Sequence, residues 1–221
     1  MTSIKSTDRI LDMVGIVNYN AGNIKSVERA LNALNAEYTL SSNPKELEKC
    51  NKIIFPGVGE AKYAMTQLKN TGFDIFLKEW ALANKPLLGI CLGSQIIFEY
   101  SEEGDTECLG ILKGKIKEFK NVWLNESSDT SLKVPHMGWN NLKFANGSSK
   151  VFTDIPENSD FYFVHSYLIQ PEDKSIIKAY CDYGCVVPAC IEKDSVTAFQ
   201  FHPEKSGVLG LKLLENFIKL G

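Results

Sequence analysis

Apolar positions along this chain follow two different spacings. Met13 to Tyr19 reads as a first strand, and Ile24, Val27, Leu31 and Leu34 then recur at helical spacing over about Asn23 to Leu34. Strands near Tyr38, Ile54 and Leu88 alternate with helices near Pro44 to Lys49, Gly59 to Asn70 and Leu92 to Tyr100. That alternation predicts an α/β fold: a doubly wound, mostly parallel sheet with helices on both faces. From Leu109 onward the pattern changes to short strands near Ile116, Asn141, Phe163, Ile177, Val187 and Thr197, which predict added antiparallel hairpins. A helix from about Val208 to Leu220 closes the chain. Asn121 to Ser131, polar and serine-rich, reads as an exposed loop. Residues 1–12 read as a loose extension, which leaves 13–221 as a single domain.

The apolar run Pro86-Leu87-Leu88-Gly89-Ile90 breaks at Cys91-Leu92-Gly93-Ser94-Gln95, a cysteine between two glycines. This reads as a nucleophile elbow, with Cys91 on the sharp turn between a buried strand and a helix carrying Ile96, Ile97 and Tyr100. Glycines on either side suit that turn, because side chains at Gly89 and Gly93 would collide where strand and helix pack closely. The turn also places the sulfur at a helix N-terminus, where backbone N–H groups favour a thiolate. The alternative is a buried cysteine packing as a small hydrophobe.

A cysteine nucleophile needs a base and a group that orients it. Val196 to Phe201 reads as a strand, and His202-Pro203-Glu204-Lys205-Ser206 follows at once. Proline biases His202 toward an extended conformation, in which positions two apart project to the same side, so Glu204 falls beside the His202 ring. Taken alone, such a triplet also fits surface decoration. Pro56-Gly57-Val58-Gly59, after the strand Lys52 to Phe55, is a loop whose glycines permit a peptide N–H to be aimed at an oxyanion, or simply an ordinary turn.

Together these motifs resemble the class I, or triad, glutamine amidotransferases. Within that family the chain is similar to the glutaminase subunits that serve histidine biosynthesis. The likeness rests on Tyr19-Asn20-Ala21-Gly22-Asn23, Pro56 to Gly59, Gly89 to Gln95 with Glu102-Glu103 downstream, Pro135-His136-Met137-Gly138-Trp139-Asn140, Phe163-Val164-His165-Ser166-Tyr167 and Phe199 to Ser206. It implies Cys91, His202 and Glu204 as the catalytic triad. Gly57, Val58, Gly59 and Leu92 are then expected at the oxyanion site, and Gln95, Glu103, Ser166 and Tyr167 around the substrate glutamine. For Glu103, a solvated acidic face beside Glu102 is the competing reading.

The implied reaction is hydrolysis of the glutamine side-chain amide, with no cofactor and no metal. Ammonia would pass to a (β/α)8-barrel cyclase partner, which makes imidazole glycerol phosphate and an aminoimidazole carboxamide ribotide. The same resemblance places Asn23, Trp139, Tyr162 and Lys205 at or near the docking face, whereas the residues themselves also allow Trp139 as core and Lys205 as a solvated charge. Ser94, Gly207 and Glu60-Ala61-Lys62 depart from the family pattern without removing a catalytic group. They leave room for a paralogue that feeds another acceptor, such as an amidinating enzyme of surface-sugar synthesis. A free-standing cysteine hydrolase and a silent binding subunit are the readings from other classes.

Composition narrows the field. With 221 residues and 44% hydrophobic content the chain is long enough for one sizeable core. A net charge of -3 without a basic stripe argues against a nucleic-acid partner. The longest apolar stretch, about Leu87 to Phe98, is too short and interrupted to span a membrane, and Met1 to Arg9 lacks the apolar centre of a signal peptide. A cytoplasmic location with reduced thiols is the expectation. The six cysteines do not show paired metal-knuckle spacing, and all three histidines fall in other motifs. Cys50 and Cys108 read as structural, and Cys181, Cys185 and Cys190 as strand or turn residues of a hairpin around Tyr180 to Gly184.

Overall fold

Runs of residues with no polar face make the central strands of the computed structural model, which describes residues 13–20, 24–126, 132–147 and 149–220. The expectation for residues 1–12 lies outside this range. The first half of the chain runs β1 (Val14–Val17), α1 (Ile24–Ala33), β2 (Tyr38–Ser41), α2 (Pro44–Leu47), β3 (Lys52–Gly57), α3 (Ala61–Thr71), α4 (Phe73–Leu82), β4 (Leu87–Cys91) and α5 (Leu92–Ile96). It continues with β5 (Tyr100–Ser101), β6 (Thr106–Glu107), β7 (Gly114–Glu118), α6 (Phe119–Glu126), β8 (His136–Asn141) and β9 (Lys143–Phe144). The last third holds β10 (Asp160–His165), β11 (Tyr167–Pro171), β12 (Ile177–Asp182), β13 (Val186–Lys193), β14 (Val196–Phe199) and α7 (Gly207–Lys219).

The main sheet has the order β2-β1-β3-β4-β14-β13-β12-β9. Its first five strands are parallel, and β13, β12 and β9 extend it antiparallel, the α/β sheet with added antiparallel strands expected from the sequence. Successive residues of the parallel strands feed opposite layers, because side chains alternate across a sheet. Ile16, Ile54, Leu88 and Phe199 pack with Val27 and Leu31 of α1 and Leu213, Leu214 and Phe217 of α7. Val17, Phe55, Leu87 and Ala198 pack on the other face with Leu68, Leu77, Trp80 and Ile96 from α3, α4 and α5. Two smaller sheets, β10-β8 and β11-β7-β5-β6, stand beside the main one.

Three local expectations are corrected. Between β3 and β4 the chain makes two helices rather than one, because Gly72, at φ 76°, both ends α3 and begins α4. The helix after the elbow stops at Ile96, and Tyr100 lies on β5. Residues 119–126 form α6 rather than the start of a loop, held by the burial of Phe119, Val122 and Trp123; the indole N–H of Trp123 donates to the Tyr183 carbonyl at 3.2 Å. Residues 127–131 of the expected loop are outside the described range.

No helix among the described residues is long and apolar enough to cross a membrane. Among the described residues no two cysteines are joined as a disulfide. Cys181 and Cys190 sit on the paired strands β12 and β13 with Cys185 in the turn between them, and burial pushes the Cys181 and Cys190 thiols far above their usual range.

Candidate active site

Cys91 is the last residue of β4, and its backbone takes φ 53° and ψ -111°, a conformation that side chains rarely adopt. Close packing explains the flanking glycines. A β-carbon on Gly93 would stand 2.0 Å from the Phe55 carbonyl oxygen, and one on Gly89 would stand 2.9 Å from the Gly93 carbonyl oxygen. The Cys91 thiol donates to the Val164 carbonyl at 3.8 Å, and the buried Ser94 hydroxyl donates to the Cys91 carbonyl at 2.6 Å. Since α5 is a single turn, its dipole at Cys91 is smaller than the longer expected helix would supply.

Sheet order brings in the rest. β14 is the parallel neighbour of β4, with Phe199 opposite Ile90, so the segment after β14 emerges beside Cys91. His202 is extended at φ -101° and ψ 93°, and Pro203 opens a 3-10 turn that carries Glu204 back onto the ring. His202 Nδ1 lies 2.8 Å from Glu204 Oε1, with both side chains almost wholly buried. Burial alone would push the imidazole pKa down, but Cys91 and Glu204 overturn it and raise it to about 9. Nδ1 is turned to the carboxylate, so Nε2 is left for the Cys91 side. The His202 N–H donates to the Tyr162 carbonyl at 2.9 Å, and the Ser206 hydroxyl bridges His202 and Tyr162, which fixes β10 against this turn.

A cavity of about 280 Å³ opens over Cys91. Val58, Gly59, Leu92, Gln95, Glu103, Ser166, Tyr167, His202 and Lys205 line it, most of the residues picked out from the sequence. Gly57 stands behind the lining, paired with Cys91 at the end of β3, and Glu204 behind His202. Gln95 is anchored through Nε2, which donates to the Tyr167 carbonyl at 2.9 Å and to Gln200 Oε1 at 2.8 Å. Glu103 is not a solvated surface charge: it is partly buried and accepts from the Ala61 N–H at 2.8 Å. Its burial raises the carboxyl pKa, against the pull of the Ala61 N–H. Glu102 ties instead to the Glu118 N–H and the Asn121 amide.

Beside this cavity Lys205 Nζ sits 5.8 Å from the Tyr162 ring centre, and the Tyr162 and Trp139 rings are 6.1 Å apart. Trp139 is 58% exposed, which excludes a core role for it. These three therefore form one cluster that meets the cavity through Lys205, while Asn23 lies outside the described residues.

Three contributors were not assigned roles from sequence. Gln200 is fully buried beneath Gln95. His136 Nδ1 and His165 Nε2 are 3.0 Å apart, and His165 Nδ1 lies 2.6 Å from the Tyr167 carbonyl. With Nδ1–H of His165 donating to that carbonyl, Nε2 accepts from His136, whose own Nε2 faces the Asn140 amide at 3.3 Å. Antiparallel pairing of β8 and β10 sets His136 opposite His165, a relationship no local motif reports.

A strand-end cysteine beside a buried histidine–carboxylate pair is an arrangement suited to amide hydrolysis. The family model for glutamine amidotransferase class-I matches residues 16–220. The chain belongs to that family, a family of enzymes. It is 45% identical over 209 residues to the imidazole glycerol phosphate synthase subunit HisH of Dehalococcoides mccartyi, covering 94% of this chain and 97% of that protein. It is 44% identical to HisH 1 of Campylobacter jejuni, covering 94% of this chain and all of the other, and 41% identical to HisH of Halalkalibacterium halodurans over 93% of this chain and 94% of the other. Among solved structures a glutamine amidotransferase superposes with a TM-score of 0.70 at 17% identity, covering 93% of this chain and 97% of the other. The structure of PurLQS from Thermotoga maritima gives a TM-score of 0.69, also at 17% identity, with 94% and 98% covered, a likeness of fold.

Proposed function

We propose that this chain is the glutaminase subunit of an imidazole glycerol phosphate synthase. It hydrolyses L-glutamine to glutamate and ammonia through Cys91, His202 and Glu204. The observation that carries the reading is the convergence of these three at the carboxyl ends of neighbouring strands, with the His202–Glu204 contact at 2.8 Å behind a thiol that faces a cavity sized for an amino acid. The HisH relatives supply the biosynthetic context.

Cys91 Sγ attacks the side-chain amide carbon with its proton already held by His202, whose raised pKa favours the imidazolium. The oxyanion is met by the Leu92 N–H and by an N–H of the Gly57–Gly59 loop, a term of about 3 kcal/mol per donor. His202 then gives its proton to the leaving nitrogen, the C–N bond breaks, and ammonia departs. Water adds to the glutamyl thioester with His202 as base, and glutamate leaves as the thiol is restored. Glu204 holds the ring in the tautomer that presents Nε2 and stabilises the imidazolium.

Ammonia released into neutral water is mostly protonated and no longer nucleophilic, so its use demands a partner that receives it directly. That partner is a (β/α)8-barrel cyclase docked at Trp139, Tyr162, Lys205 and Asn23, and docking closes the pocket. Ammonia release by the purified chain, alone and with the cyclase and its ribotide ligand, tests the reading. Strong activation by the cyclase is expected. Full turnover without a partner would favour a free-standing hydrolase, and activation only by a different barrel protein would reassign the acceptor.

A further inference from the structure

Tyr19, just past the end of β1, is fully buried, and its hydroxyl finds no hydrogen-bond partner among the described residues. A buried hydroxyl left unpaired loses its hydrogen bonds to water without replacement, so an orphan of this kind calls for a partner. Its surroundings identify one. A β-carbon placed on Gly57 would stand 2.7 Å from Tyr19 Oη and 2.7 Å from the Gly93 nitrogen, so the hydroxyl, the end of β3 and the first turn of α5 share one small space. The ring packs against Phe55 with centroids 5.4 Å apart, which fixes the direction of the hydroxyl. Burial, and then the neighbouring Cys91, push the phenol above its usual range, so it is a proton donor at every physiological pH.

The chain beyond Gly57 has room to turn. Gly57 has no side chain, and Gly59 holds φ 95° with open space around its β-position. The N–H and C=O of one peptide point in opposite directions, so bringing the Val58 N–H toward Cys91 swings the Gly57 carbonyl away from it. We propose that Tyr19 is a positioning residue whose hydroxyl donates to the Gly57 carbonyl once that peptide turns, holding the Val58 N–H on the oxyanion. The displaced carbonyl and the orphaned hydroxyl then satisfy each other. This inference rests on the glutaminase reading above.

The test is Tyr19→Phe, assayed for ammonia release alone and with the cyclase partner. The expected result is a kcat lower by about 10- to 100-fold, below the full loss of an oxyanion donor because the effect is indirect. KM stays within about twofold, as befits an interaction made only in the transition state. Thermal stability is unchanged or raised, and iodoacetamide alkylates Cys91 at the wild-type rate. A wild-type kcat in Tyr19→Phe overturns the inference and leaves the glutaminase function standing. Slower alkylation of Cys91 or a lower melting temperature also overturns it, because Tyr19 would then support the elbow or the fold. No ammonia release from the wild type under either condition would overturn the glutaminase reading itself, and this inference with it.

Discussion

His136 Nδ1 stands 3.0 Å from His165 Nε2, and both rings are buried beside the cavity. Burial lowers His136 to about 4, and burial together with a neighbouring His136 and His202 lowers His165 to about 3. In the unfolded chain both titrate near about 6.5, so below that pH the unfolded state binds more protons and the fold loses stability as the pH falls toward 4. The partly buried Glu103 and Glu192, raised by burial, act in the opposite direction. Urea unfolding midpoints should therefore fall between neutral and mildly acid pH. The slope should shrink by about one proton in His165→Gln. An unchanged slope in that variant would show that the ring is not held neutral.

His202 predicts the reverse on the alkaline side. Its folded pKa is raised to about 9 by Cys91 and Glu204, so these contacts stabilise the fold fully below the unfolded value of about 6.5 and that stability is lost as the pH rises through 9. Glu204→Gln should flatten the decline in stability between neutral pH and this point. It should also lower kcat by about 100-fold or more with little change in fold, because the amide cannot stabilise the imidazolium. Near-normal kcat in Glu204→Gln would remove Glu204 from the mechanism.

Two glycines should respond very differently to alanine. At Gly93 the new β-carbon meets the Phe55 backbone oxygen at 2.0 Å, and backbone cannot move aside as a side chain does. Gly93→Ala should cost about 3 kcal/mol or more. At Gly59 nothing lies within 4 Å, so only the left-handed backbone opposes alanine, at about 1–2 kcal/mol. Chemical denaturation of the two variants checks the order, and a more stable Gly93→Ala would contradict the elbow packing.

Why the elbow and the His-x-Glu were legible, and the histidine pair was not, follows from distance along the chain. Gly89, Cys91 and Gly93 constrain one another within five residues, and His202 and Glu204 within three, so their spacing carries the geometry. That Cys91 and His202 are neighbours in space follows from what a cysteine nucleophile requires and from the family resemblance, and not from spacing, since it depends on β14 lying next to β4. His136 and His165 meet through the register of β8 and β10, and Gln95 and Gln200 across the sheet, which no local pattern encodes. The helix α4 was hidden because a single residue, Gly72, separates it from α3. In α6 the exposed Lys120 and Asn121 outweighed the buried Val122 and Trp123 in a short segment.

Gln200 offers a test of the pocket floor. Its Oε1 accepts one of the two Gln95 amide hydrogen bonds, so Gln200→Leu leaves Gln95 tied only to the Tyr167 carbonyl. A looser Gln95 should raise KM for glutamine by about 5- to 20-fold, the equivalent of about 1–2 kcal/mol for one lost hydrogen bond, with a smaller effect on kcat. Steady-state kinetics decides this, and an unchanged KM would place Gln95 outside substrate binding.

Acid-quenched mass analysis of the chain turning over glutamine in the presence of a cyclase tests most directly the proposed role of Cys91 as the nucleophile of a glutaminase. The expected result is a glutamyl adduct on the peptide carrying Cys91, and neither adduct nor ammonia release in Cys91→Ala. Ammonia release that survives in Cys91→Ala, or an adduct on another residue, would contradict it.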